Sequence, residues 1–324
     1  MKPEPTQTGT SKLDIAVRAL EENDLDAADH IMRLAFGTFI GLPEPAAFMG
    51  DADYVHTRWR ANPLAAFAAE VDGQLAGSNF ATQWGSVGFF GPLTIHPQFW
   101  DRGVGKRLME PIIDLFSKWN TTHAGLFTFS QSQKHVGLYQ RFGFWPRFLT
   151  MLMAKPVEGK QGSSRWTTFS ETRADRAETL KACHELTDAI YAGLDLTGEI
   201  EAVRHQNLGE TILVWRDDEL AGFAVCHSGP GTEAGSGTCY VKFAAARSDA
   251  KADHNFNSLL EAVERWAATR SLERIVAGVN SARHNAYRQM LARGFVTQIQ
   301  GVVMSRPNEA GYNRPDVYLI DDWR

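Results

Sequence analysis

Hydrophobic and polar positions change period between residues 93 and 119. A partly β-branched apolar run at residues 93–95 ends at Pro97, which predicts a strand. Apolar residues then return at helical spacing, at Val104, Leu108, Ile112, Leu115, Phe116 and Trp119. Gly103 and Gly105 let the backbone turn tightly between these elements. We expect a kink or an early irregularity at Pro111, because proline removes a helical hydrogen bond at a cost of about 3 kcal/mol.

The predicted turn has the properties of an anion site. Free backbone N–H groups and the dipole of the opening helix favour phosphate oxygens, and Arg102, Lys106 and Arg107 add positive charge. Glycines also serve ordinary strand-to-helix connections for steric reasons, so this alternative stays open. A dinucleotide fingerprint requires a third glycine where Leu108 stands, and a nucleoside triphosphate loop requires Ser or Thr where Arg107 stands. Neither fingerprint is complete.

A second motif follows at residues 130–144 and reads as a strand, a short helix and a glycine stop. Together, residues 102–105 (Arg-Gly-Val-Gly), Tyr139 and the Gly143-Phe144 pair resemble the signature of the GNAT superfamily of acyl-CoA-dependent N-acyltransferases. The resemblance covers roughly residues 12–157. Trp100 stands where the family usually has Gln or Arg, and Ser132 where it often has Asn, but neither change removes a backbone donor.

The resemblance implies an α/β (α+β) fold of two tandem GNAT-like domains, each with a mixed, mostly antiparallel central sheet flanked by helices. It also implies a coenzyme site. The strand at 93–95 would splay from a strand at 127–130, and the pantetheine arm would lie in the V between them. Ile95 would be its main-chain partner, by position only. The turn from Asp101 to Lys106 would hold the pyrophosphate. The implied coenzyme-binding residues are Ile95, Asp101, Arg102, Gly103, Val104, Gly105 and Lys106.

Tyr139 occupies the motif position that faces the coenzyme sulfur, so the resemblance implies that it is the general acid. When an amine attacks the thioester, the leaving thiolate has a conjugate-acid pKa of about 8.5. A phenol, with an unperturbed pKa near 10, is protonated at neutral pH and is a suitable proton donor. The alternative is that Tyr139 only packs beneath the turn at Gly143.

No general base is evident. Glu70, Ser130, Ser132 and His135 are polar residues near the expected strand ends. Glu70 is equally consistent with a solvated strand residue, and His135 with the exposed face of its helix. A water chain would also suffice. Residues 35–59 are rich in aromatic side chains, which indicate either an apolar acceptor cleft or the core beneath two short helices.

Composition bounds the class of protein. The chain has 324 residues, 44% hydrophobic and 22% charged, with a formal net charge of −5, so nothing indicates a nucleic-acid surface. No segment approaches the roughly 20 apolar residues of a membrane span, and residues 1–12 lack the apolar core of a signal peptide. We therefore expect a cytoplasmic protein. Three scattered cysteines and ten dispersed histidines do not imply a metal site.

The plan of the first half repeats in the second. Strands are predicted at 66–71, 75–81, 211–215, 220–226, 237–246 and 275–279, with a helix at 256–270. We expect a GNAT-like catalytic domain at 1–157, a linker at 158–165 and a degenerate GNAT-like domain at 166–324. If Leu259 matches Leu108, His254 and Phe256 replace the two glycines, and Met290 replaces the tyrosine. Tyr287 is an alternative match to Tyr139, if the alignment of the two halves shifts by one helical turn.

The sequence thus favours an N-acetyltransferase that moves an acetyl group from acetyl-CoA to an amine of a small molecule or protein. A non-catalytic acyl-CoA sensor or interaction module is the alternative. A tandem enzyme with two coenzyme sites would require the signature in both halves. The acceptor, the acyl chain length and the oligomeric state do not follow from the sequence.

Overall fold

A computed structural model describes residues 14–159, 164–172 and 176–324. The polar segment 1–12, which is expected not to be a signal peptide, lies outside these residues, as does the middle of the predicted linker. Alternating apolar periods produce eight α-helices in the described part of the chain. They are α1 (Leu25–Phe39), α2 (Val55–Ala61), α3 (Val104–Lys118), α4 (Gln133–Gln140), α5 (Arg176–Ile190), α6 (Thr197–Gln206), α7 (Ala252–Thr269) and α8 (His284–Ala292). None of these helices is both long and apolar enough to cross a bilayer.

Fourteen strands of the described residues form one sheet. They are β1 (Ile15–Ala19), β2 (Ala66–Val71), β3 (Gln74–Trp84), β4 (Val87–Phe90), β5 (Thr94–Ile95), β6 (His123–Thr128), β7 (Trp145–Pro156), β8 (Trp166–Thr168), β9 (Gly209–Arg216), β10 (Glu219–Gly229), β11 (Gly235–Ala246), β12 (Arg274–Asn280), β13 (Val296–Arg306) and β14 (Leu319–Ile320). The order along the sheet is β1-β2-β3-β4-β6-β13-β7-β12-β11-β10-β9-β8, with β5 on β3 and β14 on β11. Pairing is antiparallel except between β4 and β6 and between β11 and β12. The fold is therefore the expected mixed, mostly antiparallel α/β arrangement.

The two halves exchange a strand at the centre of this sheet. Strand β7 pairs with β12 of the second half, and β13 pairs with β6 of the first. Strands β7 and β13 also pair with each other. A boundary near residue 157 would divide the chain but not the sheet, because the backbone hydrogen bonds of each half are completed by the other.

The repeat predicted from the sequence has a constant register over its last three elements. Strands β6 and β12 begin at His123 and Arg274, and helices α4 and α8 at Gln133 and His284. The same interval separates the starts of β7 and β13. This register places His254 at the position of Gly103, Phe256 at that of Gly105 and Met290 at that of Tyr139. No one-turn slip brings Tyr287 to the tyrosine position.

Two local expectations differ from the structure. The strand predicted over 127–130 lies earlier, because β6 pairs along its length with β13 and ends at Thr128. Helix α3 continues through Pro111 to Lys118, so it is not interrupted there. Only one N–H is missing from the ladder, while the apolar face of α3, including Leu108 and Ile112, is fully buried.

Buried charges join the halves beside the sheet. Arg58 of α2 donates to Glu233 at 2.9 Å, and Lys242 of β11 lies 2.9 Å from Glu233 and 3.0 Å from Glu199. The indole of Trp84 donates to the same Glu199. Arg58 and Lys242 hold the pKa of Glu233 well below its usual range despite burial. Removing one member would leave an uncompensated buried charge, so this contact fixes how the halves meet.

Candidate active site

The first half contains an open V between neighbouring strands. Strands β4 and β6 pair in parallel from Val87 with His123 to Phe89 with Gly125, and then diverge. Strand β5, which continues β4 after a break at residues 91–93, pairs with β3 instead, where Ile95 faces Gly77. A cavity of about 210 Å³ begins in this V. The free strand edge is therefore available to a ligand that can pair with backbone.

The glycine turn lies at the mouth of the V, where β5 leads into α3. Gly103 is the N-cap of α3 and adopts a left-handed φ of 87°, and Asp101 before it has a φ of 63°. Residues 101–105 donate no backbone N–H to an acceptor among the described residues. These free donors point to an anion-binding turn. A Cβ on Gly105 would lie 3.2 Å from Ile95 Cδ1, so a larger side chain would be forced into the cleft.

Charged side chains around the turn have different partners. Arg102 and Lys106 are exposed, and Arg107 pairs with Glu110. Lys134, at the start of α4, reaches Asp101 at 2.6 Å and lies over the Trp100 ring. Sequence reasoning missed Lys134, because the contact depends on how α4 packs beside the turn.

Trp100, the departure from the family pattern, has a local role. Its indole N–H donates to the carbonyl of Ile95 at 2.7 Å. This hydrogen bond ties the turn to the end of β5. Val104, the first residue of α3, is buried beneath the turn and anchors it from below. The expected coenzyme residues 101–106 and Ile95 therefore meet in one place.

Tyr139 lies on α4 at the inner end of the cleft. The side chain is buried, and its ring packs edge-on against Phe90 at a centroid distance of 5.6 Å. It also lines the cavity, and no described residue is a hydrogen-bond partner of its hydroxyl. Burial raises the pKa of the phenol well above 10, so the hydroxyl is protonated at neutral pH. Tyr139 therefore packs in the core and faces the cavity at the same time.

The four polar candidates for a general base differ in their partners and in their position relative to the cavity. Glu70 is bound by Arg18 on β1 at 2.7 Å, and Ser132 caps α4 by accepting the N–H of His135. Ser130 is exposed outside the cavity wall. His135 lines the cavity one helical turn from Tyr139 and packs against Phe39, and burial lowers its pKa below 6.5. Of the four, His135 alone combines a place in the cavity wall with a neutral ring.

Beyond Tyr139 the cavity extends under α1 and the loop before α2. Phe36 and Phe48 stack at 5.3 Å and form part of this wall, together with Met32 and Tyr54. Trp59 and Tyr54 also pack in the core with Leu20 and Phe80. In the aromatic segment 35–59, some side chains therefore line the cleft and others fill the core beneath the helices, as the two alternatives predicted. Sequence reasoning missed Trp323 and Arg324, which enter the cavity wall from the far end of the chain.

The corresponding V of the second half is filled by the chain itself. Strands β11 and β12 pair in parallel as far as Val241 with Ala277, matching the first half. Strand β14 then pairs with Ala244 and Ala245, which correspond to Leu93 and Thr94. Asp322 occupies the space above Gly278, where even a Cβ would clash. The strand edge that is free in the first half is used internally here.

The turn before α7 is also occupied. Arg216 reaches Asp249 at 2.7 Å and also bonds Asn255, which in turn donates to Asp249. Phe256, at the position of Gly105, is fully buried in the second-half core. Met290 is likewise buried and offers no ionisable group. Side chains thus fill the space that the first-half turn leaves open, while backbone carbonyls accept the N–H groups of Ala252 and Asn255.

Residues 30–144 match the model of the Acetyltransferase (GNAT) family. The first half is a GNAT domain. The matched GNAT region contains the glycine turn, the V and Tyr139, so the family match and the geometry fall on the same residues. No curated protein matches the chain at a significant level.

Solved structures extend the GNAT likeness to the whole chain. A proposed acetyltransferase from Pyrococcus horikoshii is 13% identical with a TM-score of 0.67, covering 94% of this chain and 93% of that one. A GCN5-related N-acetyltransferase from Sphaerobacter thermophilus is 14% identical with a TM-score of 0.59, covering 90% and 95%. A tandem GNAT protein from the clavulanic acid biosynthesis pathway is 12% identical with a TM-score of 0.56, covering 90% and 98%. These similarities show that the chain has the tandem GNAT fold.

Other chemistry is not assembled in the described residues. No three potential metal-ligating side chains come together there. Cys183, Cys226 and Cys239 are buried free thiols, and burial raises the pKa of Cys183 and Cys226. Such thiols are poor nucleophiles, because the reactive thiolate is disfavoured.

Proposed function

We propose that the protein is an N-acetyltransferase that moves an acetyl group from acetyl-CoA to a primary amine of a small molecule or protein. The observation that carries the proposal is that three structural features border the same cleft. A turn with free N–H groups, an open strand edge and a protonated phenol border one cleft. These parts suit the pyrophosphate, the pantetheine arm and the thioester of an acyl-CoA, in that order.

The residues divide the work as follows. The N–H groups of residues 101–105, with Arg102 and Lys106 nearby, bind the pyrophosphate oxygens. Ile95 presents backbone to the pantetheine. The amine nitrogen attacks the thioester carbonyl, the C–S bond breaks, and Tyr139 donates its proton to the departing thiolate. Burial in an apolar cleft raises the pKa of the CoA thiol as well as that of the Tyr139 phenol. The two pKa values therefore shift in the same direction, and the phenol can still protonate the thiolate.

His135 is the base in this proposal. A neutral imidazole accepts the proton that the attacking amine loses, directly or through one water. The lowered pKa of His135 keeps the ring neutral at pH 7. Because His135 and Tyr139 are four residues apart on α4, they lie on the same helix face. Acid and base thus act on the same cavity.

The domain roles follow from the same comparison of clefts. The first-half cleft, within residues 1–157, is the catalytic one in this proposal, and the second half, 166–324, shapes the substrate site. Trp323 and Arg324 support this division, because they line the cavity of the first half.

Calorimetric titration of acetyl-CoA tests the proposal, using wild type and two matched variants. Gly105→Glu directs a carboxylate into the turn, and His254→Glu places one at the position in α7 that corresponds to Gly103. We expect one site in the wild type, at least a 100-fold loss of affinity in Gly105→Glu and no change in His254→Glu. Thermal unfolding checks that both variants fold.

The opposite results are equally clear. Absence of binding to folded wild type would exclude an acyl-CoA ligand of this kind. Binding that survives Gly105→Glu but weakens in His254→Glu would place the coenzyme in the second half.

A further inference from the structure

The acceptor side of the cavity is mostly apolar, and no Asp or Glu side chain of the described residues lines it. Its wall includes Met32, Phe36, Phe48 and Ile299, and the rim residues Ile40 and Met49 are exposed apolar side chains. Among the described residues that line it, the ionisable groups are two tyrosines, His135 and Arg324. Bringing an ammonium group into such a wall is costly, because no negative charge compensates for the lost hydration.

This lining selects among amines. A polyamine or a lysine-rich peptide keeps several charges that would need carboxylate partners in the wall. A monoamine must lose only one proton, and it must lose that proton in any case before its nitrogen attacks. An aryl or alkyl body then gains roughly 25 cal/mol per Å² of apolar surface removed from water.

One polar group in this part of the cavity lacks a partner. Tyr54 is 4% exposed, and its hydroxyl has no hydrogen-bond partner among the described residues. Its neighbours are engaged: Arg58 donates to Glu233 and to the carbonyl of Gly91, and Tyr240 bonds Asp322 at 3.1 Å. An unmatched buried hydroxyl destabilises the free protein, and a hydrogen bond to a ligand oxygen would remove that cost.

The position of Tyr54 connects this hydroxyl to the acceptor. Tyr54 lines the apolar cavity on one side and a second cavity of about 290 Å³ on the other, where Glu233 and Tyr240 lie. Burial raises the pKa of Tyr54 to about 12, so the hydroxyl is a hydrogen-bond donor at neutral pH. Tyr54 is thus one of the few polar side chains in a mostly apolar wall.

We propose that the acceptor is an apolar monoamine with an aryl or alkyl body, and that Tyr54 donates a hydrogen bond to an oxygen atom of that body. The inference rests on the proposed acetyl transfer and adds the class of acceptor. Tyr54 acts here as a specificity-determining residue, distinct from the acid Tyr139 and the base His135.

A set of probe amines tests the class. Release of CoA thiol from acetyl-CoA is followed with 2-phenylethylamine, with its para-, meta- and β-hydroxyl derivatives, with spermidine and with the peptide Gly-Lys-Gly. We expect the best hydroxylated phenylethylamine to exceed 2-phenylethylamine about 10-fold in kcat/KM. Spermidine and the peptide should fall at least 100-fold below it.

Tyr54→Phe tests the residue. It should raise KM for the best hydroxylated amine about 10-fold, and leave 2-phenylethylamine and the affinity for acetyl-CoA unchanged. Thermal stability should stay equal or rise, because the hydroxyl removed has no partner. Tyr240→Phe is the matched control: it removes a bonded hydroxyl, so it should lower stability without changing the preference among amines.

Several results would overturn the inference. These are a preference for spermidine or the peptide, equal losses of Tyr54→Phe on both phenylethylamines, or acetyl-CoA binding with no turnover of any phenylethylamine. Octanoyl-CoA binding at least 10-fold more tightly than acetyl-CoA would assign the apolar wall to the acyl chain instead. Failure to bind acetyl-CoA at all would be a failure of the proposed function, seen separately by calorimetry.

Discussion

The two clefts of the molecule have the same sheet geometry and opposite contents. In each half a parallel strand pair opens into a V, but the first V borders a cavity while β14 fills the second. Gly103 and Gly105 leave backbone donors free, whereas Asn255 and Phe256 lie buried in the first part of α7, where Asn255 also bonds Asp249. The strand edge that β14 pairs in the second half is therefore open in the first half, where a ligand could pair with it.

The largest effect is expected from a substitution that releases β14, the strand that fills the V of the second half. Arg283 is 1% exposed and holds this segment by donating to the Leu319 carbonyl at 2.8 Å, to Asn313 and to Asp321. Arg283→Met leaves Asp321 without its cation, and we expect a loss of about 4 kcal/mol in the free energy of unfolding. Urea unfolding measures it. Arg288→Met, an exposed change on α8, the helix that follows Arg283, should stay within about 0.5 kcal/mol. A loss below 1 kcal/mol for Arg283→Met would show that β14 is held by other contacts.

Tyr139→Phe tests whether the cleft of the first half is the catalytic one. If Tyr139 protonates the thiolate, kcat should fall about 100- to 1,000-fold, because general acid catalysis contributes on that scale. The affinity for acetyl-CoA should change less than about threefold, since the ring packing is kept. Tyr287→Phe, on the corresponding helix α8, should leave both quantities unchanged. A protein that only senses acyl-CoA would show no effect from either variant.

The smallest expected effect concerns pH. His123 of β6 has a pKa lowered to about 4 by burial among Tyr191, Tyr312 and Trp323, whereas its counterpart Arg274 is exposed. The unfolded chain binds a proton near pH 6.5, so stability is full above that pH and falls as the pH drops towards 4. At pH 5 the loss from His123 alone is about 2 kcal/mol.

Urea unfolding at pH 7.5 and pH 5 separates this contribution from those of other groups. The fall in stability between the two pH values should be about 2 kcal/mol smaller in His123→Leu than in wild type. His254→Leu, an exposed histidine of α7, serves as the control and should fall as the wild type does. An equal fall in all three proteins would contradict the burial argument.

Local patterns in the sequence determine much of the fold. Strand β2 spans the predicted residues 66–71, and the predicted strand at 275–279 lies within β12. These elements follow from alternating or continuous apolar runs and turn residues, which act over a few positions. The resemblance carried by the glycine turn and Tyr139 implies the cleft that brings them together. The chemical roles of these residues remain predictions.

Long-range pairing is not visible in such patterns. Nothing in the period of β7 or β13 indicates that they exchange partners, because any strand of this length offers the same backbone groups. The short β14 is too brief to produce a periodic signal, and Trp323 reaches the cavity only through it. Lys134 and Tyr54 depend on how separate elements pack, which one-dimensional spacing does not encode.

The exchanged strands also limit how far the sequences of the two halves can diverge. A duplicated unit can usually decay or be deleted once its partner performs the task. Here the first half takes β13 as the hydrogen-bonded neighbour of β6, and the second half takes β7 in return. The residues at the glycine and tyrosine positions of the second half can therefore vary more freely than β13, because the first half depends on β13 for its sheet.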